Sequence, residues 1–334
     1  MAFVTLHRGP LVESRHRVHV AVCDSHGELR AFAGDPGLVT YMRSAAKPFQ
    51  ALAIVREGVP DRYGMTAEEL AICCGSHSGE PQHLEVVRSI LVRAGVPESA
   101  LACGAQRPLA EAVAEEMVRR GEDPKPIHNN CSGKHAGMLA LAQWRGWDLD
   151  GYQEAGHPVQ ERMKCEVAEW TGVEPEQIAG GGDGCGVVTF GVPLWSMARG
   201  YAALARAAME RDVAPYMVVE AMTRHPFMVA GTGRLCTRLM QAGSGSVFVK
   251  VGAEGVYCAG DPARGVGVAV KVEDGGRRAA EVALLRVLHL LGVPADGMGD
   301  AFREDLRPTI RDTRGEAVGY LEGEFELRSG SGVN

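Results

Sequence analysis

The 334-residue chain is poor in two residue types, lysine and asparagine. Of its 35 basic residues only six are lysine (Lys47, Lys125, Lys134, Lys164, Lys250 and Lys271); the rest are arginine. Arginine keeps its charge near neutrality, whereas a desolvated lysine can lose its proton. In a chain that uses arginine for routine charge, each retained lysine is therefore a candidate for chemistry that arginine cannot perform. Asparagine occurs as the adjacent pair Asn129 and Asn130 and at Asn334. Loss of thermolabile asparagine can accompany a hot habitat, but nine cysteines and 13 methionines do not fit that pattern.

Other absences exclude whole classes of protein. The nine cysteines are odd in number and form no C-x-x-C pair, which excludes a simple disulfide framework and implies reduced thiols in a cytoplasm. No window approaches the roughly 20 apolar residues of a membrane span. The opening "MAFVTLHRGPLVESRHRVHV" lacks the apolar core and cleavage site of a secretion signal. No basic run or Arg-aromatic cluster occurs, and the net charge is −7, so neither a nucleic-acid nor an acidic-membrane partner is expected. Repeats, low-complexity blocks and long linkers are also missing. With 46% hydrophobic residues the chain can bury a substantial core without covalent staples. These features describe a soluble cytoplasmic enzyme.

The hydrophobic pattern predicts strands at both ends and helices between them. "RVHVAVCDSHGELRAF" alternates through Val18, Val20 and Val22 and turns at Asp24–Gly27, as a hairpin does. After Lys47, "PFQALAIVREG" has helical spacing and ends at Gly58. Thr66 and Glu69 form a capping-box signature, and a further helix runs from Glu80-Pro81 to Gly95. Helices are expected over 109–120, 133–144, 159–170 and 194–210. Strands return as "SVFVKV", "GVYCAG" and "GVGVAVKV", an antiparallel meander, followed by the apolar helix "RRAAEVALLRVLHLLG". The fold class is α+β: N- and C-terminal strands in one antiparallel sheet, helices packed on it, and a helical lobe beside it. Residues 1–334 read as a single domain with two intimate lobes, and 328–334 as a frayed tail.

Several short segments carry reactive side chains. "RSAAKPFQ" (43–50) places Ser44 and Lys47 three residues apart at a helix start. Ser44 there is either a helix cap or a nucleophile, and Lys47, a cation unsuited to a first turn, is a base candidate. About 0.2 Ser-x-x-Lys pairs are expected by chance from 13 serines and six lysines, so the pair alone decides little. "CCGSHSGE" (73–80) flanks His77 with Ser76 and Ser78 among glycines that permit close backbone approach. "HNNCSGKHAGM" (128–138) concentrates the internal asparagines, Cys131, Lys134 and His135. Cys131 and His135 are four apart, a spacing that suits two metal ligands on one helix face, and equally a decorated helix cap. "GGGDGCGV" (180–187) leaves Asp183 and Cys185 as its functional side chains, and Cys185 could join Cys131 on one Zn2+. "RHPFMVAGTGR" (224–234) offers backbone donors or Arg234 for a carboxylate. Lys250 ends the first strand of the meander. Lys47, Lys134 and Lys250 thus all fall in motif segments.

With "KVGAEGVYCAG" and "GVGVAVKVEDG" added in order, these segments resemble the asparaginase II family of bacterial serine–lysine L-asparaginases over most of the chain. The resemblance implies hydrolysis of L-asparagine to L-aspartate and ammonia, a serine β-lactamase/glutaminase-like fold and a homodimer. Residue by residue it makes Ser44 the nucleophile with Lys47 as base, and Ser76 with Lys250 a second serine–lysine tandem. It assigns Cys131, Lys134 and Cys185 to Zn2+, and Arg43, Asn130, His135 and Asp183 to the substrate pocket. Lysine is an unusual ligand because it must be deprotonated to bind metal. "KVG" lacks the hydroxyl residue of the penicillin-recognising relatives' lysine strand and no S-D-N triplet occurs, so penicillin chemistry is not expected. Glutamine or a β-aspartyl amide as substrate, and a non-catalytic amino-acid-binding role, are the alternatives.

Overall fold

The computed structural model describes residues 1–293 and 300–330. In chain order the strands are β1 (Phe3–Arg8), β2 (Leu11–Cys23), β3 (Leu29–Ala33), β4 (Val39–Tyr41), β5 (Ala179–Gly182) and β6 (Val188–Pro193). Then come β7 (Phe248–Val251), β8 (Val256–Asp261), β9 (Val266–Val272), β10 (Thr309–Arg311), β11 (Ala317–Glu324) and β12 (Arg328–Ser329). The first helices are α1 (Lys47–Arg56), α2 (Val59–Tyr63), α3 (Ala67–Cys73), α4 (Pro81–Ala94), α5 (Glu111–Arg120), α6 (Ser132–Arg145) and α7 (Pro158–Thr171). They are followed by α8 (Leu194–Met209), α9 (Val213–Arg224), α10 (Pro226–Val229), α11 (Leu235–Gly243), α12 (Arg277–Leu291) and α13 (Arg303–Leu306).

The architecture is α+β, with N- and C-terminal strands in one antiparallel sheet in the order β10-β11-β1-β2-β9-β8-β7. The long β2 joins its halves. Leu11–Arg17 pairs with β1, while Val18–Cys23 pairs with β9 and its last residues also pair with β3. The apolar meander β7-β8-β9 forms as the sequence predicts, and nearly every residue of β8 and β9 is buried because α8 and α12 both pack against them. Thr66 and Glu69 make both reciprocal capping bonds at the start of α3. Arg328–Ser329, expected to begin a frayed tail, instead pairs with Phe32 and Ala31 of β3, while residues 331–334 lie outside the described residues. No helix among the described residues is long and apolar enough to cross a membrane.

Two parts of the fold position the functional segments. The helical layer places α6 against α3 and α4, burying every residue from Ser132 to Ala142. A small separate sheet, β4-β6-β5, is not evident from the sequence because "AGGG" has no apolar alternation. It joins the chain just before Arg43 to the glycine-rich turn that carries Asp183 and Cys185.

Candidate active site and metal centre

A 3-10 turn, Arg43–Ala46, precedes α1. The helix start at "RSAA" is thus real, but Ser44 does not cap it: no side-chain cap bond is present, and Met42 precedes the turn. Arg43 takes the left-handed conformation at φ 50°, which is uncommon for a residue with a side chain and marks a constrained position. Its Nε donates to Asp183 Oδ1 at 2.7 Å, and its Nη1 lies 3.9 Å from Glu254. Lys47 opens α1 with Pro48 second, a position whose amide has no intrahelical partner to lose.

Both expected catalytic lysines reach one serine. Lys47 Nζ donates to Ser76 Oγ at 3.0 Å and to the carbonyl of Gly75. Lys250 Nζ donates to the same Ser76 Oγ at 2.8 Å and to the Val251 carbonyl at 2.9 Å. All three side chains are buried. Gly75 is required at this point, since a Cβ would lie 2.7 Å from the Met228 carbonyl. Burial pulls Lys250 down from an ordinary value of 10.5 to about 7, and the like charge of Lys47 adds to the shift. Near neutral pH Lys250 therefore spends much of its time as a neutral amine that can accept a proton. Ser44, by contrast, is only half-buried, and its hydroxyl has no hydrogen-bond partner among the described residues.

Ser44 opens on a cavity of about 410 Å3. Arg43, Asn130, Cys131, Asp183 and Cys185 also line it, together with Gln106 and Ala253. Ala253 follows β7, which ties the Lys250 strand to the cavity. His135 is not among the lining residues. It is fully buried one residue beyond Lys134, with Nδ1 bonded to the Tyr152 hydroxyl and Nε2 buried without a partner among the described residues. Arg234, the other carboxylate-binding candidate, contacts Ser78 Oγ at 3.3 Å and does not line the cavity either.

Beside the cavity, donor atoms of Cys131, Asp183 and Cys185 lie within 4.8 Å of one another. Lys134 Nζ sits among them, 3.1 Å from Cys185 Sγ and 3.8 Å from Asp183 Oδ2. Burial opposes its ammonium, but Cys131, Cys185 and Asp183 outweigh burial and hold its pKa above the ordinary lysine value. Asp183 has both oxygens engaged: Oδ1 by Arg43 and the Gly184 amide, Oδ2 by Lys134. Despite burial, Lys134 and Arg43 hold it at about 2. A hydrogen bond from Cys185 keeps the Cys131 thiol well below its usual value against the opposing effect of burial, with Lys47 and Lys134 assisting. That same bond and burial push Cys185 up. A buried cluster of two sulfurs and a carboxylate, already stabilising a cation, has the charge and donor types that suit a divalent metal. The spacing-based pairing of Cys131 with His135 does not occur, because His135 turns to Tyr152.

Gln106 belongs to the site but not to any reactive reading of the sequence. "ACGAQRP" around Gln106 carries no motif.

The α+β fold thus gathers two lysines on one buried serine, and a polar cavity opens at a second serine, Ser44. Residues 4–323 match the L-asparaginase II family, and the chain belongs to that family of amidohydrolases. No curated protein matches it significantly. Among solved structures it is similar to a β-lactamase from Mycobacterium bovis at 16% identity and TM-score 0.46, over 81% of this chain and 93% of that one. The native form of Mglu gives 15% identity and TM-score 0.40 over 91% of this chain and 71% of that one. Simvastatin synthase from Aspergillus terreus gives 13% and 0.36 over 77% and 84%. Likeness of this degree says nothing about activity.

Proposed function

We propose that the protein hydrolyses L-asparagine to L-aspartate and ammonia through an acyl-enzyme on Ser44. The observation that carries this reading is the half-buried Ser44 hydroxyl, without a partner among the described residues, at the cavity. Nearby, the hydrogen-bonded series Lys47–Ser76–Lys250 can hold its proton. Ser44 Oγ attacks the side-chain carboxamide carbon as its proton passes to Lys47, which hands one of its own to Ser76 Oγ while the Ser76 hydroxyl proton moves to the neutral Lys250 amine. The proton returns along the same route to the amide nitrogen, so the tetrahedral intermediate expels ammonia; water then attacks the ester, gives its proton to the lysines, and aspartate leaves as Ser44 Oγ is reprotonated. Arg43 supplies positive charge for the α-carboxylate and Asp183 negative charge for the α-ammonium, with Asn130 on the same cavity wall.

The second reading places the acyl group on Ser76, because it is the hydroxyl both lysines touch. Acid-quenching the enzyme during turnover and mapping the aspartyl adduct separates the two. Adduct on the peptide containing Ser44, with turnover lost in Ser44→Ala, supports the first. Wild-type turnover in Ser44→Ala under saturating asparagine overturns it. Ammonia release compared across asparagine, glutamine and β-aspartyl amides fixes the substrate, while tight asparagine binding without ammonia would favour a binding protein.

We further propose Zn2+ as the cofactor, held by Cys131, Cys185 and Lys134 with Asp183 as the neighbouring oxygen donor. Lys134 must shed the proton its anionic neighbours retain before it can bind metal, so loading should release protons. Bound there, the ion would supply positive charge to polarise a substrate oxygen at the cavity wall. A homodimer in the cytoplasm remains our proposal from the family resemblance, and sedimentation equilibrium tests the dimer.

A further inference from the structure

One wall of the cavity includes Gly104, Ala105 and Gln106. The backbone amides of all three have no acceptor among the described residues, and Gly104 is left-handed at φ 72°. The loop is held through its carbonyls: Asn129 Nδ2 donates to Cys103 O at 2.7 Å and to Gly104 O at 3.2 Å. The Tyr152 hydroxyl anchors the Ala102 amide at 3.1 Å. With the Cys103 and Gly104 carbonyls occupied and the three amides unpaired, the segment offers a concentration of donors, the arrangement in which turns bind anions.

The Gln106 side chain adds to it. Its Oε1 accepts the Asn130 amide at 3.0 Å. That bond fixes the carboxamide plane and turns Nε2 away from the Asn130 backbone. Nε2 has no partner among the described residues, and Gln106 lines the cavity. A glutamine whose oxygen is committed presents two N–H donors.

We propose that Gln106, with the Gly104–Gln106 amides, binds the α-carboxylate of the substrate and thereby selects α-amino acid amides over simple amides. The inference rests on the amidohydrolase reading above and names the donor that reading lacks. Arg43 is already tied to Asp183 and close to Glu254, so it supplies charge, while Gln106 supplies directional bonds.

The test exploits the two ends of the carboxamide. In Gln106→Glu a carboxylate oxygen can still accept the Asn130 amide, but the donors are gone. The charge this variant adds also repels the α-carboxylate, so the uncharged Gln106→Met below isolates the lost donors. A hydrogen bond to a charged group corresponds to roughly ten- to hundredfold in affinity. Gln106→Glu should therefore raise KM for asparagine at least about tenfold, with kcat within about threefold. A KM within about twofold of wild type overturns the proposal.

Gln106→Met is compared on L-asparagine and on 3-aminopropanamide, which lacks only the α-carboxylate. Any disturbance of Asn130 affects both substrates, so the ratio of their kcat/KM values isolates the carboxylate contact. The wild-type preference for asparagine should fall about tenfold, and an unchanged ratio overturns the proposal. If the wild type released no ammonia from any amide, the hydrolase reading would fail first. Calorimetric binding of L-aspartate against β-alanine then reads the same contact without turnover: loss of their discrimination in Gln106→Met supports it, and retention overturns it.

Discussion

Replacing Lys250 by methionine should strongly lower activity while stabilising the protein, and the gain in stability should depend on pH. The lysine is fully buried, and its value falls from 10.5 to about 7 because burial and then Lys47 disfavour the charge. A folded-state value below the unfolded one means that the unfolded chain holds an extra proton between those limits. Wild-type stability therefore rises with pH across that window. Below about pH 7 the ammonium is charged in both states, and its burial costs about 5 kcal/mol, from a shift of about 3.5 units at about 1.4 kcal/mol each. At about pH 9 the folded protein has shed the proton and about 2 kcal/mol of that cost remains.

Methionine keeps the length of the side chain and removes the charge. It also loses the hydrogen bonds to Ser76 and Val251, about 1 kcal/mol each, although Ser76 keeps Lys47. Those losses and any packing change do not vary with pH, so the informative quantity is the difference between two pH values. The stability of Lys250→Met relative to wild type should drop by about 3 kcal/mol between about pH 6 and about pH 9, read by urea denaturation at each. Ammonia release should fall by about 10^2- to 10^4-fold, the usual contribution of a positioned proton acceptor. A relative stability constant within about 1 kcal/mol across that range would refute a charged, desolvated Lys250 below neutrality. Retained turnover would remove it from the proton route.

Two further outcomes test the metal centre and the packing that holds it. Cys185→Ser should lower bound zinc to less than about a tenth of an equivalent after zinc-supplemented expression, by elemental analysis, while wild type holds about one; less than a tenth in wild type sinks the zinc assignment. Gly133→Ala, next to Lys134 in the first turn of α6, would place a Cβ 2.4 Å from the Ile72 carbonyl of α3. The two helices would have to part, lowering stability by about 2–3 kcal/mol in urea unfolding, and unchanged stability contradicts that contact.

The parts of the fold that were legible in the sequence are those set by local pattern. The β2–β3 hairpin, the β7-β8-β9 meander, the Thr66 capping box, the helix ending at Gly95 and the helices expected over 133–144 and 159–170 each follow from periodicity or from a terminating residue. What was not legible depends on contacts distant along the chain. Helical spacing made Ser44 and Lys47 neighbours, yet Lys47 bonds to Ser76, 29 residues away. No glycine or asparagine marked Arg43 as left-handed; the ion pair with Asp183 and the small β4-β6-β5 sheet accompany that conformation. Gln106 could not be found because its role depends on which end of its amide Asn130 occupies, and composition does not record that.

The scarcity of lysine, by contrast, led directly to the site. Lys47, Lys134 and Lys250 are all essentially buried, whereas Lys125 is exposed and Lys164 only half-buried; Lys271, also buried, donates to the Glu254 carbonyl outside the cavity. The same desolvation acts on Lys134 and Lys250, yet their shifts have opposite sign. Lys134 is surrounded by two sulfurs and a carboxylate, which overcome burial and hold its proton. Lys250 has Lys47 as its nearest charged influence, which reinforces burial and releases its proton near neutrality. Arginine, with its proton fixed, could satisfy neither a site that must exchange an ammonium for a metal nor one that must take a proton from a hydroxyl. In the proposed reading, lysine at these positions serves proton and metal chemistry rather than simple charge, and their opposite environments divide the two tasks.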